Sequence, residues 1–162
     1  MAMLDTLVTI VKQAGVIARQ HFGRLRAQDV HLKGEVDLVT RVDRELERFL
    51  REMLGRAFPE VGFYGEEGDY GQLDQFERVF VVDPLDGTTS FVHAHPFYSI
   101  SVALREQHET VIGLVYLPHF DQLYWAMKGK GAFRDGERIR VSAASELINC
   151  LGATGFACVR AR

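Results

Sequence analysis

The run Val79-Phe80-Val81-Val82-Asp83-Pro84-Leu85-Asp86-Gly87-Thr88-Thr89-Ser90-Phe91 decides how the rest of this chain is read. Four consecutive apolar residues, three of them β-branched, suit a strand buried on both faces, which delivers the carboxylate of Asp83 to the edge of a core. Pro84 fixes its own φ and biases Asp83 toward an extended backbone, so a bend is expected within a few residues that returns Asp86 toward Asp83. Gly87 lets the backbone approach a bound group, and residues 87–90 offer N–H groups and hydroxyls of the kind that hold phosphate oxygens. Two facing carboxylates repel and raise one another's pKa unless a cation lies between them. Oxygen donors alone select magnesium, manganese or calcium over zinc, and no thiolate is near this turn. The competing reading is an Asx turn in which Asp83 and Asp86 only bond nearby backbone.

Immediately downstream stand Phe91-Val92-His93 and Pro96-Phe97. With Asp83-Pro84-Leu85-Asp86-Gly87-Thr88 they resemble the signature of the inositol monophosphatase family. The Asp-Pro-x-Asp-Gly-Thr core is shared with fructose bisphosphatases and bisphosphate nucleotidases, and the tail narrows the resemblance to the inositol monophosphatase branch. Further matches follow in the family's order: Val36-Asp37-Leu38-Val39-Thr40 with Asp43, then Gly65-Glu66-Glu67, then Lys128-Gly129-Lys130-Gly131-Ala132-Phe133.

The resemblance implies site roles. Glu66, Asp83, the carbonyl of Leu85 and Asp86 become metal ligands, Asp43 and Thr88 with Glu66 become catalytic residues, and Gly87 with Thr88 holds phosphate. Glu67 is a candidate to support the ligands, and Lys33 is the match for a lysine on a loop that reaches toward the metal. The implied cofactor is Mg2+, with Mn2+ as a substitute and inhibition by Li+. Metal-activated water is the implied nucleophile. A covalent phospho-enzyme is disfavoured because both aspartates are needed as ligands.

The chain has 162 residues, 47% hydrophobic and 25% charged, enough for one domain with a proper core. A net charge of −3 gives no reason to expect nucleic acid or a membrane surface, both of which usually call for a concentrated basic face. Cys150 and Cys158 without a secretory signal fit a reducing cytoplasm, and no run is long enough to span a bilayer. Family members are commonly longer. Residues 1–162 are therefore expected to form a single domain equivalent to the N-terminal portion, with the C-terminal portion absent. The resemblance implies a further aspartate ligand after a tryptophan, but the one tryptophan here, Trp125, precedes Ala126. The 162 residues alone are thus expected to be poorly active and to expose an apolar face near 151–156.

The apolar residues Leu4, Leu7, Ile10, Val11, Ala14, Ile17, Ala18 and Phe22 recur at helical spacing, with Asp5 or Thr6 expected near the N-cap. His21 and His31 are expected at the surface. Thr40 and Asp43 resemble a capping box for a second amphipathic helix, whose Arg44, Glu45, Glu47, Arg48 and Arg51 read as its solvated face. Residues 61–64 read as a short strand and 69–77 as a polar loop. Strands are expected near 98–104, 111–116 and 122–127, with Asp135-Gly136 as a hairpin turn. His93-Ala94-His95 reads as a loop beside the site rather than a zinc pair, and Gly129-Lys130-Gly131 as a turn.

The fold class expected is α/β of the layered α+β kind: two N-terminal helices on a mainly antiparallel sheet, the N-terminal portion of an inositol-monophosphatase-like sandwich. The function expected is magnesium-dependent hydrolysis of inositol monophosphate, a small-molecule phosphate ester, by a cytoplasmic homodimer. Rival substrates are histidinol phosphate, a nucleotide bisphosphate or fructose bisphosphate, and a rival of another class is a non-catalytic, metal-stabilised interaction fragment.

Overall fold

The computed structural model describes residues 2–32, 38–68 and 70–152. Helix α1 (Ala2–His21) buries Leu4, Leu7, Ile10, Val11, Ala14 and Ala18, the three- and four-residue spacing of one apolar stripe. It begins at Ala2, ahead of both expected caps. Asp5 instead lies in the first turn, where its charge favours the helix N-terminus, and the Thr6 and Thr9 hydroxyls donate back to the carbonyls of Ala2 and Asp5.

Helix α2 (Arg41–Ala57) starts on the expected capping box. Thr40 Oγ1 accepts the Val42 N–H at 3.0 Å, while Asp43 Oδ2 accepts the Thr40 N–H at 2.9 Å. Val42, Leu46, Leu50 and Leu54 face the core. The charged residues of this helix do not all face water: Arg44, Arg48 and Arg51 are exposed, but Glu47 is only 6% exposed. Four residues after Asp43, it shares the inward face. His21 departs from expectation as well, being half-buried with Nε2 3.1 Å from Glu45, whereas His31 is exposed.

A short antiparallel pair, β1 (Val30–Leu32) and β2 (Leu38–Thr40), precedes α2. The main sheet has seven strands in chain order: β3 (Gly62–Gly65), β4 (Arg78–Asp86), β5 (Ser99–Glu106), β6 (Glu109–Leu117), β7 (Gln122–Met127), β8 (Gly131–Arg134) and β9 (Glu137–Ile139). Every neighbouring pair is antiparallel except β3 and β4, which run parallel. Alternation puts Ile100, Val102 and Leu104 of β5, and Ile112, Leu114 and Tyr116 of β6, in the core. Asp135 and Gly136 both have positive φ, the requirement of the tight turn between β8 and β9. Helix α1 packs on α2, β5 and β6, and α2 packs on β3 and β4, giving the expected layered α+β architecture.

The bend expected within a few residues of Pro84 takes the form of an irregularity inside a continuing strand, followed by a turn at Gly87. Strand β4 runs on to Asp86, pairing Asp83 with Ser101 and Asp86 with Ser99, so three steps along β4 oppose two along β5. That mismatch is a β-bulge, and Pro84 sits inside it, where the ladder asks no N–H of it. A short helix, α3 (Thr88–Val92), follows directly. Its Phe91 is buried edge-on to Tyr98 at 4.8 Å and to Phe22 at 5.6 Å, which ties α3 to the end of α1. Toward the chain's end Val141, Leu147, Ile148 and Leu151 are exposed. The expectations for Lys33 and for residues 153–156 lie outside the described residues.

Candidate active site

The site grows from the register of two parallel strands. Gly65 pairs with Val82, so the next residue on each strand, Glu66 and Asp83, arrive side by side. Asp83 is half-buried and Glu66 exposed. Burial first, then the neighbouring charges of Glu66 and Asp86, push the Asp83 carboxyl up to about 7, opposed by the Leu85 N–H.

Asp83 Oδ1 accepts the Leu85 N–H at 3.1 Å, the local bond of an Asx turn. That competing reading is therefore present for Asp83. It does not extend to Asp86, whose Oδ2 accepts the Ser99 hydroxyl across the ladder at 3.1 Å. Among the described residues no group of three or more His, Cys, Asp or Glu side chains is drawn together in a form that could hold a metal ion. The arrangement is a Glu66–Asp83 pair, with Asp86 near enough to act on Asp83 electrostatically.

Beyond the bulge, Gly87 takes φ 88° and opens α3. A Cβ there would also stand 3.0 Å from the Phe97 carbonyl, so backbone conformation and space both require glycine. Thr88 then faces the start of α2. Its hydroxyl lies 2.9 Å from Asp43 Oδ1 and 3.0 Å from the Leu85 carbonyl. One proton serves one acceptor well, and the charged one is the stronger. Asp43, 2% exposed, also accepts from the Thr40 N–H and, at 2.6 Å, the Thr40 hydroxyl. Beside Asp86 and Gly87 opens a cavity of about 320 Å³ that Phe97, Tyr98 and Val115 also line.

The structure thus gathers Glu66 with Asp83, Asp86 near them, and Asp43 with Thr88 and the Leu85 carbonyl. Glu67 turns its N–H toward Glu47 Oε2, at 2.7 Å. His93 and His95 are exposed in the loop after α3, with the His95 ring 5.1 Å from that of Phe97. Sequence reasoning missed two polar partners. Ser99 carried no local signal, since its role depends on cross-strand pairing. Glu47 did carry one, its spacing of four from Asp43 on a helix whose buried face is otherwise apolar.

Comparison with known proteins decides the family. The signature of the inositol monophosphatase family matches residues 2–162. The chain belongs to the inositol monophosphatase family. It is 42% identical over 154 residues to an inositol-1-monophosphatase of Rhizobium meliloti, a match covering 95% of this chain and 58% of that protein. It is 38% identical over 156 residues to a fructose-1,6-bisphosphatase/inositol-1-monophosphatase of Thermotoga maritima, covering 96% of this chain and 59% of the relative. The crystal structure of the extragenic suppressor protein suhB from Bartonella henselae superposes with a TM-score of 0.83 at 38% identity, over 89% of this chain and 56% of that one. The chain therefore spans under three-fifths of the length of these relatives. Inositol monophosphatases are phosphoric monoester hydrolases and generally metal-dependent, and the hard oxygen donors at the end of β4 suit that chemistry. Among the described residues no helix is long and apolar enough to cross a membrane.

Proposed function

We propose that this protein is a magnesium-dependent phosphomonoesterase that converts inositol monophosphate and water to inositol and phosphate. The observation that carries the reading is the convergence of two independent pairs: Glu66 beside Asp83, whose carboxyl is raised by burial and then by like-charge neighbours, and Thr88 on Asp43 just past Asp86. The donor chemistry suits a hard divalent cation, because the Glu66–Asp83 pair, the neighbouring Asp86 and the Leu85 carbonyl offer only oxygen.

Glu66, Asp83, Asp86 and the Leu85 carbonyl would hold the magnesium, with manganese as a chemically adequate substitute. When bound, such a cation supplies Lewis-acid polarisation of the phosphate and acidifies a water. The chain's own residues do the remainder. With its proton engaged by Asp43, Thr88 has oxygen lone pairs free to accept a hydrogen bond from the attacking water and orient it. The first N–H groups of a helix have no intrahelical acceptor, so those of Gly87 and Thr88 at the start of α3 are available to phosphate oxygens. The cavity beside Asp86 would take the organic part of the ester.

A second reading keeps the chemistry and changes the substrate to fructose 1,6-bisphosphate, favoured by the double name of the Thermotoga maritima relative. As the resemblance implies, the reading carries with it a single domain over residues 1–162, a cytoplasmic homodimer and inhibition by lithium. The test is phosphate release by the protein expressed whole from its gene, from inositol 1-phosphate, fructose 1,6-bisphosphate, histidinol phosphate and a nucleotide bisphosphate, with and without magnesium. Magnesium-dependent release, fastest from inositol phosphate, is expected. Release that does not need a divalent cation contradicts the mechanism, and no release from any ester favours a non-catalytic role.

A further inference from the structure

Glu47 is a buried carboxylate on α2 that the proposed chemistry leaves unused. It is 6% exposed, and both of its oxygens are engaged: Oε2 accepts the Glu67 N–H at 2.7 Å, and Oε1 accepts the Tyr70 hydroxyl at 2.8 Å. The chain comes unusually close to it there, since a Cβ on Gly65 would stand 2.3 Å from Oε2. The Tyr70 ring packs edge-on to Phe63 at 5.4 Å, and the Arg51 guanidinium lies 5.5 Å from the same ring. Glu47 therefore grips the chain after β3 at two points, Glu67 through its backbone and Tyr70 through its side chain.

Asp43 lies four residues earlier on the same helix face, about 6 Å along the axis. It holds Thr88, on the far side of the β4 bulge. One helix face thus touches both halves of the site: Asp43 sets the β4–α3 junction, and Glu47 sets the loop that carries Glu66. We propose that Glu47 is a positioning residue that fixes Glu66 relative to Asp83 by holding the backbone of the turn, so that the helix acts as a common ruler for the two halves. This rests on the reading of Glu66 as a cation ligand. A carboxylate accepting a backbone N–H is suited to the task, because a charge-assisted bond at 2.7 Å has little positional slack and the low exposure denies water a chance to replace it.

The test uses the protein expressed whole from its gene, with Mn2+ binding followed by electron paramagnetic resonance, and hydrogen exchange of the Glu67 amide as a readout that needs no metal. Glu47→Ala is expected to weaken Mn2+ binding about tenfold or more, the equivalent of ~1.4 kcal/mol, and to lower Glu67 amide protection. Glu47→Gln is expected to restore most of both, because its side-chain carbonyl accepts the same N–H. Tyr70→Phe leaves the Glu67 bond in place and is expected to change binding by less than about threefold. Gly65→Ala offers a second route should Glu47→Ala fail to fold: its methyl must displace Oε2 and is expected to weaken binding in the same way. If Glu47→Ala binds Mn2+ as tightly as the unaltered protein, the proposal is overturned, whether or not amide protection falls. If the unaltered protein binds no Mn2+, the cation reading itself fails and the inference falls with it.

Discussion

The Thr88 hydroxyl donates to Asp43 Oδ1 at 2.9 Å across 45 residues of sequence. The acceptor is not a spare surface group. Asp43 already caps α2 and is 2% exposed, so the bond ties the residue after the β4 bulge to a carboxylate whose position is fixed by the helix start. Thr88 is thereby presented with its proton committed and its lone pairs directed elsewhere.

Replacing Thr88 by Val removes that hydroxyl at nearly constant volume, and kcat for inositol phosphate hydrolysis is expected to fall by about 10²-fold or more, the scale of lost proton management at a reacting water. Thr88→Ser keeps the hydroxyl and is expected to lose less than about tenfold. Steady-state kinetics at saturating magnesium checks both. Equal losses in the two variants would contradict the role given to the hydroxyl, because Thr88→Ser alone retains it.

The Asp83 carboxyl, raised from 3.8 to about 7 in the folded metal-free protein, makes stability depend on pH in a definite direction. Between those values the native state holds a proton that the unfolded chain has released, so the native state binds more protons and stability falls as pH rises through this window. Urea unfolding of metal-free protein from pH 4 to pH 8 is expected to show this decline, and Asp83→Asn is expected to flatten it. A decline of the same slope in Asp83→Asn would assign it to other groups.

Gly15 on α1 faces Tyr116 so closely that a Cβ would lie 2.3 Å from the ring. Tyr116 cannot easily yield, because its hydroxyl donates to Asp121 at 2.7 Å and accepts from Arg19 at 3.0 Å. Gly15→Ala is therefore expected to cost about 1–3 kcal/mol through overpacking, despite alanine's better helix propensity. Chemical denaturation measures it, and an unchanged or raised midpoint would show that α1 shifts freely on the sheet.

Much of this architecture was legible because local signals and tertiary needs agree. The Thr40–Asp43 capping box, the alternation in β5 and the Asp135-Gly136 turn each rest on neighbours in sequence. The failures come where a residue's role is set across the fold. Pro84 reads as a bend, but that the bend is a bulge inside a continuing β4 is settled only by pairing with β5. Glu47 reads as a solvated charge because its partners, the Glu67 N–H and Tyr70, arrive from beyond β3. The pairing of Glu66 with Asp83 follows from the parallel register of β3 and β4, which no local pattern announces.

The most direct test of the account is thermal unfolding of the protein and of Asp86→Asn, each with and without millimolar magnesium. A ligand at a hundred times its Kd stabilises by about 2.7 kcal/mol, so magnesium is expected to raise the Tm of the unaltered protein by several degrees. Asp86→Asn is expected to lose most of that rise while its metal-free Tm stays equal or increases, because a like-charge neighbour of Asp83 has been removed. A Tm of the unaltered protein that magnesium leaves unmoved would contradict the central claim that Glu66, Asp83 and Asp86 together hold a divalent cation.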